Sequence, residues 1–393
     1  MTDLYSNRIK NVPKSFVREI LKVTEDSSII SFAGGLPNPK FFPIEEIKKA
    51  TELALDEDKD HTLQYSTTEG YKPLREFIAN RYRKKGMDIS ADEILIVSGS
   101  QQAMDLVGKV FIDEGDGIIL EKPAYLGAIQ SFSMYQPKFT AVDMEDDGIS
   151  IEGLKEALKD KNNKMIYTVT NFQNPSGITY SKEKREAMAS VINDSNVIYI
   201  EDDPYGELRF IGEEQKPVSS LIKKNRLLFG SFSKIVAPAM RLGWVAGDKE
   251  IIEKLTVAKQ AADLQTNSFA QRVVYKYLEN NDLDAHIALI RKHYRAQRNA
   301  MVEAMRKYFP KDVSFTETEG GMFIWVTLPN EFYTEDLIDE ALKNKVAFVP
   351  GSCFYVDSDK SNTMRLNYTN CDEETIERGI KILGELINKF LNR

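Results

Sequence analysis

Lys234 carries the strongest chemical signal in this sequence. It stands in LFGSFSKIVAPAMRLGW (Leu228–Trp244), with Ser233 and Ser231 just before it and Arg241 seven residues after. Apolar residues flank the motif on both sides. A surface lysine has no use for such company. An amine that must attack a carbonyl does, because apolar surroundings and a nearby fixed cation lower its pKa from an ordinary value of about 10.4. The serine hydroxyls and the guanidinium are in turn the donor set that a phosphate dianion prefers. The motif reads as a place for holding a carbonyl compound beside a phosphate.

Three further stretches carry polar groups just after an apolar run. EILIVS is followed by GSQQAMDLV, in which Gly99, Ser100 and Gln101 open a helix. A helix start with a glycine and a hydroxyl offers free N–H groups and a favourable dipole to a phosphate, although Ser is also a common N-cap. KMIYTVT is followed by NFQNPSG, whose Asn174-Pro175 pair is also ordinary turn chemistry. VIYIE is followed by DDPYGELRF, with Asp202, Asp203 and Tyr205. The three histidines, His61, His286 and His293, fall outside any metal spacing, so neither a metal site nor histidine acid–base chemistry is expected.

The elements that must position these groups follow from periodicity. Residues 93–100, 116–123, 164–171, 197–203, 226–232 and 242–248 are short β-rich runs bounded by Gly, Pro, Asn or Asp, and read as buried strands. Amphipathic helices lie between several of them, one over about 101–112 and another over 181–194 with Ser181 as N-cap. The alternation predicts a largely parallel sheet covered on both faces. The last two runs are joined too tightly for a helical crossover, so one antiparallel strand is expected. One long helical stretch is expected from Lys249 to Asn280. A second α+β unit follows, with a helix at 284–308, strands at 323–328, 346–351 and 363–368, and a closing helix from Glu373. The first 45 residues read as a helix and an extended arm, and RYRKKG (81–86) as a solvated helix end.

The chain has 393 residues, 42% hydrophobic and 28% charged, which is a globular composition large enough for two domains. A formal net charge of −8 argues against a nucleic-acid surface. No apolar run reaches transmembrane length, and the N-terminus lacks a signal-peptide core. Cys353 and Cys371 make no disulfide framework, which points to a reducing cytoplasm.

The order of these groups along the chain, each at the end of a strand, resembles the class I aminotransferases, pyridoxal-phosphate enzymes of fold type I. It looks most like the subgroup of 2-aminoadipate and kynurenine aminotransferases. The similar stretches span nearly the whole chain: SFAGGLPNP, LQYSTTEGYKPLREFI, SGSQQAMDLVGKVF, PAYLGAIQ, NPSG, DDPYGELRF, SFSKIVAPAMRLGW, VPGSCFY and MRLNY. One mild departure is Thr67 in STTEG, where many relatives carry proline.

The resemblance implies a large domain (46–280) with a mostly parallel seven-stranded sheet, a small α+β domain (281–393), and an N-terminal helix and arm (1–45) packed with the latter. It implies that Lys234 bonds the cofactor aldehyde and then shuttles a proton, and that Asp202 faces the pyridine nitrogen. Asn174 and Tyr205 would donate to the ring oxygen, and Tyr125 would stack on the ring. Ser100, Gln101, Ser231, Ser233 and Arg241 would hold the phosphate, joined by Tyr65 of a neighbouring subunit in an obligate homodimer with shared active sites. Arg365 would grip the substrate α-carboxylate, with Asn174 and the Gly35 backbone beside it. Arg18 would either reach a distal carboxylate or pair on its own helix surface. The implied activity is ping-pong amino transfer to a 2-oxo acid, 2-oxoglutarate, from aromatic, 2-aminoadipate or glutamate donors, within biosynthetic amino acid metabolism. The alternative is a fold type I lyase acting on cysteine conjugates. A third reading, a regulator with an aminotransferase-like effector domain, fits less well, since about 30 residues precede SFAGGLPNP and the charge is acidic.

Overall fold

Continuous burial on both faces turns the apolar runs into the strands of one large sheet. The computed structural model describes residues 4–10, 12, 20 and 26–392. In chain order its strands are β1 (Ile30–Ser31), β2 (Ile94–Val97), β3 (Gly117–Lys122), β4 (Lys138–Glu145), β5 (Gly148–Ile149), β6 (Asn163–Thr168) and β7 (Ile198–Asp202). They continue with β8 (Arg226–Ser231), β9 (Gly243–Gly247), β10 (Ser314–Phe315), β11 (Phe323–Thr327), β12 (Val346–Ala347), β13 (Val349–Pro350) and β14 (Thr363–Asn367).

The large sheet has the order β2-β9-β8-β7-β6-β3-β4-β5. Pairs β8-β7, β7-β6, β6-β3 and β3-β4 are parallel, whereas β9 is antiparallel to both its neighbours. Alternate residues serve separate layers. Ile118, Leu120, Met165, Tyr167 and Ile200 pack into one hydrophobic core, and Ile119, Ile166 and Tyr199 into a second. That is the period of two expected of strands covered on both faces.

Topology fixes which ends meet. The parallel strands bring the residues after β2, β3, β6, β7 and β8 to one edge of the sheet. Because β9 runs the other way, Arg241, two residues before it, reaches that same edge. All the chemistry-bearing stretches therefore converge in the crevice outside the carboxyl ends of the strands, where open α/β sheets place their sites.

A four-stranded antiparallel sheet, β10-β11-β14-β13, forms the second unit. The helices Leu283–Tyr308 and Glu373–Leu391 pack against each other; they are started by Asp282, which accepts from Ala285 N, and Asp372, which accepts from Thr375 N. The N-terminal arm joins this unit: β1 pairs in parallel with β12, and Asn367 N donates to the Phe32 carbonyl at 2.7 Å.

Several sequence expectations need correction. The large sheet has eight strands, not seven, since the two-residue β5 pairs antiparallel with β4 at the edge. β4 itself is mostly half-buried and polar, so no apolar run announces it. The stretch 249–280 is two helices, Lys249–Asp263 and Ser268–Asn280, broken where Leu264 takes φ +64°. Residues 346–351 split into β12 and β13, which serve different sheets. RYRKKG is not simply solvated: Tyr82 is buried, and Arg81 and Lys85 both pair with Glu207, at 3.0 and 3.3 Å.

Gly230 lies opposite Trp244 across the β8–β9 pair, and a Cβ at Gly230 would meet the indole ring. Gly230→Ala should therefore lower stability by about 1–3 kcal/mol, the usual cost of overpacking. Chemical denaturation should show a lower midpoint with an unchanged slope; an unchanged midpoint would refute this account of the packing.

Candidate active site

Strand ends and two loops enclose a cavity of ≈ 440 Å³. Lys234, three residues beyond β8, lines it, and its Nζ donates to the Gly35 carbonyl at 2.8 Å. The arm that carries Gly35 thus crosses the mouth of the large sheet. Burial, together with Arg365 and Arg241, holds the Lys234 amine down at about 8.

Asp202 ends β7 and is buried. Tyr167 Oη donates to its Oδ2 at 2.7 Å, while Oδ1 is buried without a partner among the described residues. Burial raises the carboxyl to about 7, against the pull of the Tyr167 hydrogen bond. Asn174 bridges two neighbours: its Nδ2 donates to Tyr205 Oη at 3.2 Å, and its Oδ1 accepts from Arg365 Nη1 at 2.8 Å. Tyr205 is buried edge-on against Phe323, with ring centroids 5.9 Å apart.

Arg365 sits in the middle of β14, paired with Trp325 and Val349 on either side. Its Nη2 donates to the Ala33 carbonyl at 2.9 Å, and its Nε is buried without a partner. The guanidinium lies 4.2 Å over Phe323 and 5.0 Å from the Phe354 ring. No carboxylate of the described residues pairs with it, and burial lowers its pKa to about 10.

The far end of the cavity begins at Gly99 and the helix Ser100–Phe111. Gly99 has φ +82°, and a Cβ there would come within 2.5 Å of Arg241 Nη2. Arg241, itself in the left-handed region at φ 50°, donates from Nη2 to the Ser98 carbonyl at 2.9 Å. Ser100, Ser231 and Ser233 line the same end, and Ser231 Oγ accepts from Ser233 N at 3.1 Å. Gln101 also lines the cavity, with its amide turned to the Gly127 carbonyl at 3.1 Å. Tyr125, at the start of the helix Leu126–Ser133, is half-buried on the cavity wall, and burial pushes its phenol up to about 12.

Residues 33–383 match the family of class I and II aminotransferases. The chain belongs to that family. It is 41% identical over 396 residues to aromatic-amino-acid aminotransferase 1 of Thermococcus litoralis, covering 99% of this chain and 95% of the relative. The solved kynurenine aminotransferase of Pyrococcus horikoshii, in complex with PMP, superposes with TM-score 0.94 at 44% identity, over 99% of this chain and 98% of that one. The alpha-aminoadipate aminotransferase of Thermus thermophilus, complexed with N-(5'-phosphopyridoxyl)-L-leucine, gives 0.93 at 36% identity, over 100% of this chain and 99% of that one. This aminotransferase is a pyridoxal-phosphate enzyme of fold type I.

The residues present fit that cofactor. Among the described residues lining the cavity, Asp202 is the one acid, against the cations Lys234, Arg241 and Arg365, so the site favours anions. The unpartnered Asp202 Oδ1 calls for a donor in the cavity, and the bare backbone at Gly99 leaves room beside Arg241.

Of the residues singled out in the sequence, Ser100, Gln101, Tyr125, Asn174, Asp202, Tyr205, Ser231, Ser233, Lys234, Arg241, Arg365 and Gly35 all line this aminotransferase cavity. Tyr65 does not; it is 77% exposed on this chain. Arg18 lies outside the described residues. Sequence reasoning missed Tyr167, Phe323 and Phe354. Tyr167 was visible only as one member of a strand run. Its contact with Asp202 depends on the β6–β7 register, in which Tyr167 sits opposite Ile200.

The Lys234 amine should lose its proton with a midpoint near 8, where ordinary lysines titrate above 10. Competitive labelling of cofactor-free protein with acetic anhydride, read by peptide mass, should show the Lys234 peptide gaining reactivity through that window. In Arg365→Met, which removes one of the two cations, the midpoint should move upward. Identical midpoints in the two proteins would remove Arg365 as a cause.

Proposed function

We propose that this enzyme moves the amino group of an aromatic, 2-aminoadipate or glutamate-type amino acid to a 2-oxo acid, with 2-oxoglutarate as acceptor. The relatives named for aromatic amino acids, kynurenine and alpha-aminoadipate support the donor range. The observation that carries the reading is the meeting of the Lys234 amine and the unpartnered Asp202 oxygen in a cavity that also holds the acid-free fork of Arg365.

Bound pyridoxal phosphate supplies an aldehyde that takes up an amine and a ring that accepts the electron pair freed at the substrate α-carbon. Lys234 would anchor it, and its amine, once released, would take the proton from the substrate α-carbon and give it back. A pKa near 8 suits both directions. Asp202 Oδ1 would keep a proton on the ring nitrogen, Asn174 and Tyr205 would donate to the ring oxygen, and Tyr125 would cover the ring. Ser100, the backbone at Gln101, Ser231, Ser233 and Arg241 hold the phosphate. Arg365 takes both oxygens of the α-carboxylate, already oriented by Asn174 and the Ala33 carbonyl, and the Gly35 backbone covers the substrate.

The same reading makes the enzyme a homodimer in which Tyr65 completes the partner's phosphate site. Leu63, Tyr65 and Leu264 are 76%, 77% and 52% exposed. Their loops adjoin, since Ser268 Oγ donates to the Gln64 carbonyl at 3.2 Å, and apolar side chains exposed on adjoining loops suit a surface covered by a partner subunit. The proposed large domain is 46–280, the small domain 281–393, with residues 1–45 packed against the latter; the β1–β12 pairing supports this. Among the described residues no helix is long and apolar enough to cross a membrane. A cytoplasmic place in biosynthetic amino acid metabolism agrees with the unpaired Cys353 and Cys371.

Borohydride reduction of the holoenzyme should fix the cofactor on the peptide containing Lys234, and Lys234→Ala should abolish that label and transamination together. Labelling elsewhere would overturn the assignment.

Arg18 is proposed to meet the distal carboxylate of acidic donors. Arg18→Ala should raise KM for 2-aminoadipate and glutamate, by about 10-fold or more for loss of a charged contact, and leave aromatic donors unchanged. Equal losses on both classes would remove Arg18 from the substrate site.

A further inference from the structure

Glu121 is a buried acid that the proposed chemistry does not use. It is the next-to-last residue of β3, 1% exposed, and is not itself one of the cavity-lining residues. Its three hydrogen-bond partners all donate. Val169 N reaches Oε1 at 3.1 Å, Tyr180 Oη reaches Oε1 at 2.7 Å, and Gln173 Nε2 reaches Oε2 at 3.0 Å. Burial lifts the carboxyl to about 8, and these donors oppose that lift.

Gln173 carries the connection onward. Its Nε2 also donates to the Pro123 carbonyl at 2.8 Å, and its Oε1 accepts from Ser176 N at 2.8 Å. The first contact grips the loop that leads to Tyr125, two residues on. The second closes the turn that contains Asn174, the next residue. Val169, the third partner, itself lines the cavity. Three pieces of cavity wall are therefore tied from behind to one carboxylate.

We propose that Glu121, acting through Gln173, is a positioning residue that sets Tyr125 and Asn174 relative to one another in the active site. The proposal rests on the aminotransferase reading above, which gives those two residues the ring face and the ring edge. The carboxylate matters because the amide orientation of Gln173 is already fixed by Ser176 N. A glutamine at 121 would still accept from Val169 and Tyr180, but its own NH₂ would face the NH₂ of Gln173. Turning Gln173 over would set its oxygen against the Pro123 carbonyl and its NH₂ against Ser176 N. Exchanging the two side chains, Glu121→Gln with Gln173→Glu, restores a donor facing an acceptor between them; the glutamate oxygen that then faces the Pro123 carbonyl keeps that bond as the protonated acid, the form that burial favours.

The test compares holoenzymes. In Glu121→Gln, kcat should fall about 10- to 100-fold, the scale on which a small misplacement of a positioning contact acts. The visible circular dichroism of bound pyridoxal phosphate should change in intensity, because it reports how the ring sits between its walls. Borohydride should still label Lys234, which separates failure of this proposal from failure of the functional reading. The exchanged double variant should recover most of both signals. Tyr180→Phe, which removes the donor farthest from the cavity, should lower thermal stability while leaving the dichroism as in the parent protein. If Glu121→Gln lost only stability, with kcat and dichroism unchanged, Glu121 would be merely structural. Should Glu121→Gln fail to fold, the double variant decides: a folded double variant with altered dichroism and low kcat overturns the proposal, and recovery upholds it.

Discussion

The structure depends on a buried cation that the fold leaves without an acid. Arg365 accepts burial in exchange for two carbonyl-type partners, Asn174 Oδ1 and the Ala33 carbonyl, and two aromatic rings. An ionised group held this way is expensive, because even several neutral hydrogen bonds do not match the hydration it gave up. Three separate parts of the chain must meet for it to be tolerated: the N-terminal arm, the loop after β6, and β14 of the second sheet. The same charge, with Arg241, keeps the Lys234 amine close to neutrality. Removing Arg365 would thus relax the arm, free Asn174 and raise the basicity of Lys234 at once.

The second constraint is topological. A purely parallel sheet would carry Arg241 to the wrong edge, because the residue before a strand lies at its amino end. Reversing only β9 lets the tight connection from β8 place Lys234 after one strand and Arg241 before the next, at the same rim. The short 3-10 turn Pro238–Met240 makes that possible, and it ends with Arg241 itself in the left-handed conformation. Strain at that residue is balanced by its bond to the Ser98 carbonyl, at the start of the opposite wall.

Much of this was legible in the sequence, for an identifiable reason. Polar residues placed just after buried apolar runs mark strand ends, and in a parallel sheet strand ends converge. Lys234, Asp202, Asn174 and Ser100 all follow that rule, and Arg241 joins them through the reversed strand. Ser181 was equally readable, since it caps its helix by accepting from Lys184 N. What stayed hidden depends on register or on distant partners. The contact from Tyr167 to Asp202 needs the β6–β7 alignment, and the rings around Arg365 come from 323 and 354. The break at Leu264 has neither Gly nor Pro to announce it. β4 escaped because a strand next to the sheet's edge, with one damp face, lacks the continuous apolar run that its buried neighbours show.

Neighbouring acids on β7 show how the chain separates support from chemistry. Glu201 and Asp202 are adjacent and both buried, and pleating sends them to opposite faces of the sheet. Glu201 is saturated: it accepts from Thr170 Oγ1, Val218 N and Ser219 N, with Arg185 3.9 Å away. Asp202 accepts one hydrogen bond and leaves Oδ1 bare. A bare buried carboxylate oxygen is a net cost unless something arrives to satisfy it. The fold could have filled it as it filled Glu201, with two backbone amides and a hydroxyl. The unmatched oxygen of Asp202 and the unmatched Nε of Arg365 belong to residues that line a single cavity, one demanding a donor and the other an acceptor. On the proposed function, the ring nitrogen of the cofactor would supply the donor and the carboxylate of an amino acid the acceptor.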